Sequence, residues 1–159
     1  MPPVGAVVLV GLAAVFMAVR IAAGDRAGTG GELIVYWSES PYPAIWKIRP
    51  DGSQRARILR NEQNAKRPAL SPDRKWVAFD GAPPGKAPLT DFDIQVVRLD
   101  GSGLRTLTRS SQWDLEAEWS PDGSKIVYAS GFPGDLFVMD ADGTHKRRLT
   151  ASAADPSWR

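Results

Sequence analysis

The sequence predicts an all-β fold of repeated four-stranded antiparallel units, preceded by an apolar N-terminal helix. Three observations predict it. A block ending in an Asp-Gly turn returns after 49 and then 42 residues, at Asp51, Asp100 and Asp142. Ser-Pro-Asp turns stand between short apolar runs at residues 71–73 and 120–122. Glycine (15) and proline (13) are spread along the chain, which suits frequent turns better than long helices.

The N-terminal element is the apolar run VGAVVLVGLAAVFMAV at residues 4–19, which ends at Arg20. Its length falls between the ~7–15 residues of a signal-peptide core and the ~20 of a spanning helix. We therefore expect residues 1–23 to be a signal peptide or a membrane anchor helix, with residues 24–31 as a linker. Ala22 and Ala23 would suit cleavage, whereas Arg20 and Arg26, after the run, favour an anchor with a cytoplasmic C-terminal side. The third alternative is a buried core helix, which the lack of a polar face disfavours.

The repeats begin after the linker. The Asp-Gly block reads IWKIRPDGSQRARIL at residues 45–59, IQVVRLDGSGLRTLT at 94–108 and LFVMDADGTHKRRLT at 136–150. A second block reads PALSPDRKWVAFDG at residues 68–81 and AEWSPDGSKIVYAS at 117–130. A fixed period of ~40–50 residues indicates an array of similar supersecondary units.

Each unit is predicted to contain four short strands. The first ends at Leu70 or Trp119, and the second covers residues 76–79 or 125–129. The third covers Asp93–Arg98 or Asp135–Asp140, and a basic fourth strand follows the Asp-Gly turn. Such a sheet must stack on a neighbour to bury its faces. Residues 32–159 are therefore expected to form a partial β-propeller of about three four-stranded blades.

The best-formed copy carries a family signature. Trp119-Ser120-Pro121-Asp122-Gly123, Asp140-Ala141-Asp142-Gly143 and Arg148-Leu149-Thr150 resemble the TolB-type, WD40-like β-propeller repeat. The earlier copy departs from it, with Arg74 in place of the glycine and Leu70 in place of the tryptophan. The resemblance implies a propeller that acts as a scaffold for protein partners. It also implies a Tol–Pal-like role in the cell envelope, where the propeller would bind Pal.

Propellers of this family usually close with six blades, so the chain accounts for about half a ring. Three explanations are open: a truncated, non-functional fragment, an open arc, and a homodimer that closes a six-bladed ring by exchanging terminal strands. Residues Pro156–Trp158 would then be a first strand, able to complete the blade that begins at Glu32.

Composition excludes several kinds of chemistry. The chain has no cysteine and a single histidine, His145, which excludes thiolate chemistry and a multi-histidine metal site. It contains no Gly-x-Ser-x-Gly elbow. A net charge of +2 gives no electrostatic footprint for nucleic acid. We therefore expect a non-enzymatic protein without metal or cofactor.

The candidate binding residues are Trp113, Asp114 and Glu116. Trp113 lies outside the repeat consensus, in a loop before a first strand, which suits a binding-surface aromatic. Asp114, Glu116 and Glu118 alternate, which predicts either a solvated strand face or a cation site lining the channel. The loop around Pro83–Pro88 is a second candidate for recognition.

The function expected from the sequence is thus a protein-interaction scaffold, either membrane-tethered through residues 4–23 or exported to the periplasm or the cell exterior. The alternative function is a sensor or substrate-gating propeller associated with a peptidase or hydrolase.

Overall fold

The computed structural model describes residues 31–38, 43–59, 64–83, 92–132 and 134–158, together with the backbone of residues 20 and 21. These residues form three four-stranded sheets and contain no helix. Paired strands are antiparallel and adjacent in the chain, so each sheet is a meander. The prediction of an all-β array of four-stranded blades is confirmed for this part of the chain.

The strands follow the predicted order. The first blade contains β1 (Arg20–Ile21), β2 (Ile34–Ser38), β3 (Ala44–Ile48) and β4 (Ala56–Arg57). The second contains β5 (Lys66–Leu70), β6 (Trp76–Gly81), β7 (Asp93–Arg98) and β8 (Arg105–Thr106). The third contains β9 (Asp114–Trp119), β10 (Lys125–Ser130), β11 (Asp135–Asp140) and β12 (Arg147–Thr150).

The edge of the first blade differs from the expectation. Residues Pro156–Trp158 were predicted to pair beside β2 and complete the first blade. That position is occupied by β1, with Arg20 opposite Val35. Residues 156–158 form no strand.

The predicted signal peptide or anchor at residues 1–23 otherwise lies outside the described residues, and so do residues 24–30 of the linker. Across the ranges given above, no helix has the length and hydropathy needed to cross a bilayer.

The blades are held together by the alternation of side chains along their strands. In β6, Val77 and Phe79 join the apolar core shared with the first blade, whereas Ala78 joins the core shared with the third. Strand β7 repeats the pattern, with Val97 in the first core and Ile94 in the second. All five side chains are fully buried, because a middle blade has a neighbour on each face.

The first strand of each blade fits against the blade before it. Strand β9 contacts β5, β6 and β7, and β5 contacts β2 and β3. Trp119 at the end of β9 is buried, and its indole N–H donates to the carbonyl of Ala69 at 3.1 Å. The repeat position that Trp119 shares with Trp158 predicts a side chain in the core between blades. The prediction is confirmed for Trp119 and wrong for Trp158, which is 38% exposed.

The Ser-Pro-Asp turns have the same geometry in both copies. The Ser120 hydroxyl donates to Asp122 at 2.6 Å and accepts the Lys125 N–H at 2.9 Å. Ser71 makes the matching bonds to Asp73 at 2.6 Å and from the Trp76 N–H at 2.9 Å. Hydrogen bonds from serine hydroxyls and from N–H groups lower the pKa of Asp122 to about 2.

Candidate functional site

The meander gives every blade two distinct ends. One carries the Ser-Pro-Asp and Asp-Gly turns, and we call it the turn end. The other, the loop end, carries the links between second and third strands and between successive blades. In the second and third blades it includes residues 82–83, 92, 107–113, 131–132 and 134 among those described.

Trp113 lies on the loop end between the second and third blades. Its side chain is 48% exposed, and one edge of the ring packs against Phe92 at 5.9 Å between centroids. Its carbonyl accepts the N–H of Gly131 at 2.9 Å. This bond fixes the loop that carries Phe132, whose side chain is 97% exposed. Two links between strands thus present two accessible aromatic rings at the same end of the molecule.

Asp114, the next residue, points the other way. Its side chain is 1% exposed, so the prediction of a solvated strand face is wrong for this position. Its N–H donates to the Phe92 carbonyl at 2.8 Å, which fixes the start of β9 against the second blade. The carboxylate Oδ1 atom is buried and accepts no hydrogen bond.

Glu116 sits on a bulge of β9 and has φ of +60°. The bulge breaks the strict alternation that would have put Asp114, Glu116 and Glu118 on one face. The Glu116 carboxylate accepts the N–H of Asp155 at 2.6 Å, and its own N–H points at Asp80 at 3.4 Å. Both hydrogen bonds of Glu116 thus join it to a neighbouring repeat. Its predicted role in binding a partner stays a prediction.

The bulge recurs at the same place in the repeat. Arg67 in β5 has φ of +46°, and Asp155, three residues before Trp158, has φ of +53°. Arg67, Glu116 and Asp155 all stand three residues before the position held by Leu70, Trp119 and Trp158. Left-handed backbone at non-glycine residues is uncommon, so this shared conformation marks a constraint common to the repeats.

A buried ion pair lies at this bulge. The Arg67 guanidinium donates Nε and Nη2 hydrogen bonds to the two carboxylate oxygens of Asp80, each at 2.9 Å. Asp80 is completely buried, and this burial raises its pKa to about 6 in spite of the opposing charge of Arg67. The repeat pattern predicted no role for Asp80, although an acidic residue inside an apolar second strand was a visible signal.

Phe132 was also missed. The available signal was its position between Gly131 and Pro133, in a link too short to fold back over an aromatic ring. The other predicted recognition loop lies outside the described residues at 84–91.

The single histidine, His145, lies on the solvated surface. The side chain of His145 is 81% exposed, and its Nδ1 lies 2.7 Å from Asp140. Within the described ranges, no three histidine or acidic side chains are grouped so that they could hold a metal ion.

Comparison with curated proteins finds TolB proteins among the relatives of this chain. A TolB homolog of Chlorobium luteolum is 26% identical over 169 residues, which cover 82% of this chain and 38% of that protein. The Tol-Pal system protein TolB of Thioalkalivibrio sulfidiphilus is 37% identical over 62 residues, which cover 38% of this chain and 14% of that protein. The chain thus spans less than half the length of each relative. No family model matches it.

The solved structures agree with these relatives. TolB from Acinetobacter baumannii superposes with a TM-score of 0.62 and 26% identity, over 74% of this chain and 29% of that one.

Proposed function

Because this chain is a TolB-type β-propeller protein, we propose that it is a non-enzymatic scaffold that binds a protein partner through the loop end of its blades. The observation that carries this proposal is the pair of accessible aromatic side chains, Trp113 and Phe132. Large aromatic residues are enriched at the centres of protein interfaces, where they bury much surface at low entropic cost.

The Trp113 ring and the backbone that carries Phe132 are held by the fold, which favours a binding surface over incidental exposure. Trp113 is braced by Phe92, and the hydrogen bond from Gly131 to its carbonyl ties the two loops together. A partner would therefore meet a surface whose backbone is already ordered, which lowers the entropic cost of binding.

The partner that we propose is the Pal component of a Tol–Pal system, in the cell envelope. Two observations support it: the similarity to a Tol-Pal system protein TolB, and the apolar run at residues 4–19, which suits export or tethering. In this proposal the apolar run at residues 4–19, which precedes β1, places the blades on the outer side of the inner membrane.

The proposal is tested by titrating the full chain with purified Pal of the same organism in a calorimeter. We expect a saturable complex, weakened at least about tenfold by Phe132→Ala, because a central aromatic side chain often contributes more than 1 kcal/mol. The matched control is His145→Ala, an exposed change at the turn end that should leave the affinity unchanged. Absence of any binding would contradict the choice of Pal as partner.

A further inference from the structure

The two spaces between blades are lined by equivalent repeat positions but differ in character. Between the first and second blades, these positions hold apolar side chains that pack into one core: Ile58, Leu59, Ala65, Phe79 and Leu104. Between the second and third blades, the same positions hold Leu107, Thr108, Asp114, Tyr128 and Lys146. These five residues line a cleft of about 460 Å³ beside the apolar core between these blades, to which Leu107 and Tyr128 also belong.

The cleft is built around a buried acid. Asp114 takes the place that Ala65 has in the preceding repeat, and it is equally buried. Its Oδ1 atom has no hydrogen-bond partner, which is a costly arrangement for an ionised carboxylate unless a cation completes it. Ala65 shows that an apolar side chain can occupy this position of the repeat. The blade fold therefore does not require a carboxylate here.

The remaining walls suit a cation with an apolar stem. The rings of Tyr128 and Phe137 stack at 5.6 Å between centroids and form an aromatic side of the cleft. Burial, and secondly the charge of Asp114, raise the pKa of Tyr128, so its hydroxyl remains a donor. Lys146 also lines the cleft, and its ammonium group donates to the carbonyl of Gly143.

We propose that this cleft binds the cationic side chain of a lysine or arginine from a partner protein, with Asp114 as its counter-ion. The cleft reaches the loop end at Ser110 and Ser130, next to Trp113. A partner that covers the two exposed aromatic rings could therefore insert a basic side chain here. The proposal depends on the proposed function only in assigning the cation to a protein.

The test uses N-acetyl-lysine methylamide as the probe and N-acetyl-norleucine methylamide, which has the stem but lacks the ammonium group, as its neutral match. Amide chemical shifts of the ¹⁵N-labelled full chain are followed during each titration. We expect saturable shifts at Thr108, Asp114 and Ser130 with the lysine probe alone. Equal shifts with both probes would overturn the proposal, because the ammonium group would then contribute nothing.

Variants assign the effect to the carboxylate. Asp114→Asn and Asp114→Ala should each weaken the lysine probe at least tenfold, whereas Asp51→Ala, at an exposed turn, should not. Arg109→Ala should tighten binding, since Arg109 lines the cleft and its positive charge opposes that of the probe. Undiminished binding by both Asp114 variants would overturn the proposal.

A structural role for Asp114 makes a different prediction. Alanine occupies the equivalent position, Ala65, between the first and second blades. Asp114→Ala should therefore raise the melting temperature while it removes probe binding. A lower melting temperature with unchanged probe binding would identify a structural residue. Probe binding without Pal binding would support the proposed cation site and refute Pal as the partner. Pal binding without probe binding would refute the cleft alone.

Discussion

Single residues decide how closely neighbouring blades approach. The Asp-Gly turns place Gly52, Gly101 and Gly143 at φ of +82°, +88° and +90°. A Cβ atom on Gly101 would lie 2.4 Å from the carbonyl oxygen of Ile58 in the first blade. On Gly143 it would lie 3.2 Å from Leu107, which holds the same repeat position as Ile58. Glycine is therefore required here by the contact between blades as well as by the turn.

Gly52 provides the matched comparison, since a Cβ atom added there would meet no described atom within 4 Å. We predict that Gly52→Ala lowers the free energy of unfolding by about 1 kcal/mol, the cost of left-handed backbone alone. Gly101→Ala should cost about 1–3 kcal/mol more, because the new methyl group overpacks the contact between blades. Urea denaturation of both variants measures the difference, and equal losses would contradict the packing argument.

The buried Asp80 gives the second residue-specific consequence. Its pKa is about 6 in the folded protein and 3.8 is the ordinary value, so the folded state holds the proton more tightly between these limits. The stabilisation from this proton is fully present below pH 3.8 and is lost as the pH rises through 6. The pH dependence from Asp122 has the opposite sign, because its pKa is lowered to about 2 in the folded protein. Its ionised carboxylate stabilises the fold above pH 3.8, and this stabilisation is lost as the pH falls through 2.

We predict that Asp80→Asn removes this pH dependence. The free energy of unfolding of the wild type, relative to that of the variant, should fall by about 2 kcal/mol from pH 4 to pH 7. Denaturation series at several pH values measure it. If the stability of the two proteins changed with pH in parallel, the prediction would be wrong. Arg67 would then offset the effect of burial on the pKa of Asp80.

Among the turns and strands, the Ser-Pro-Asp turn is the best-defined local unit. Its serine is buried in both copies, where the hydroxyl joins the aspartate to the first N–H of the second strand. The motif is thus a connector that stabilises the junction of the first two strands in each blade.

Removing that hydroxyl tests the role of the turn. Ser120→Ala leaves the Lys125 N–H without its acceptor and should cost about 1–3 kcal/mol of stability. Ser124→Ala, in the same turn but exposed, should change stability by less than about 0.5 kcal/mol. Thermal denaturation of the two variants distinguishes them, and a similar loss in both would show that the buried hydroxyl has no special role.

For the molecule as a whole, repetition made the architecture predictable. The third strands predicted at Asp93–Arg98 and Asp135–Asp140 coincide with β7 and β11. The fourth strand of the second blade is shorter than the alternation indicated. The N–H groups of Leu107 and Thr108 both point at the Ile94 carbonyl, which ends the regular pairing after Thr106.

The site was less predictable because it depends on departures from the repeat. Trp113 was found because it interrupts the consensus, but the bulge at Glu116 requires a left-handed non-glycine residue that no local pattern indicates. The cleft at Asp114 forms only when side chains from two blades are brought together, whereas the alternation along one strand predicted either a solvated face or a cation site lining the channel.

The binding surface is tested most directly by comparing two exposed tryptophans for their effect on Pal affinity. Trp113 is 48% exposed on the loop end, and Trp158 is 38% exposed at the repeat position of Trp119, next to the turn end. We predict that Trp113→Ala weakens Pal binding at least about tenfold and that Trp158→Ala leaves it unchanged. Loss of affinity with Trp158→Ala but not with Trp113→Ala would contradict the assignment of the loop end as the binding surface.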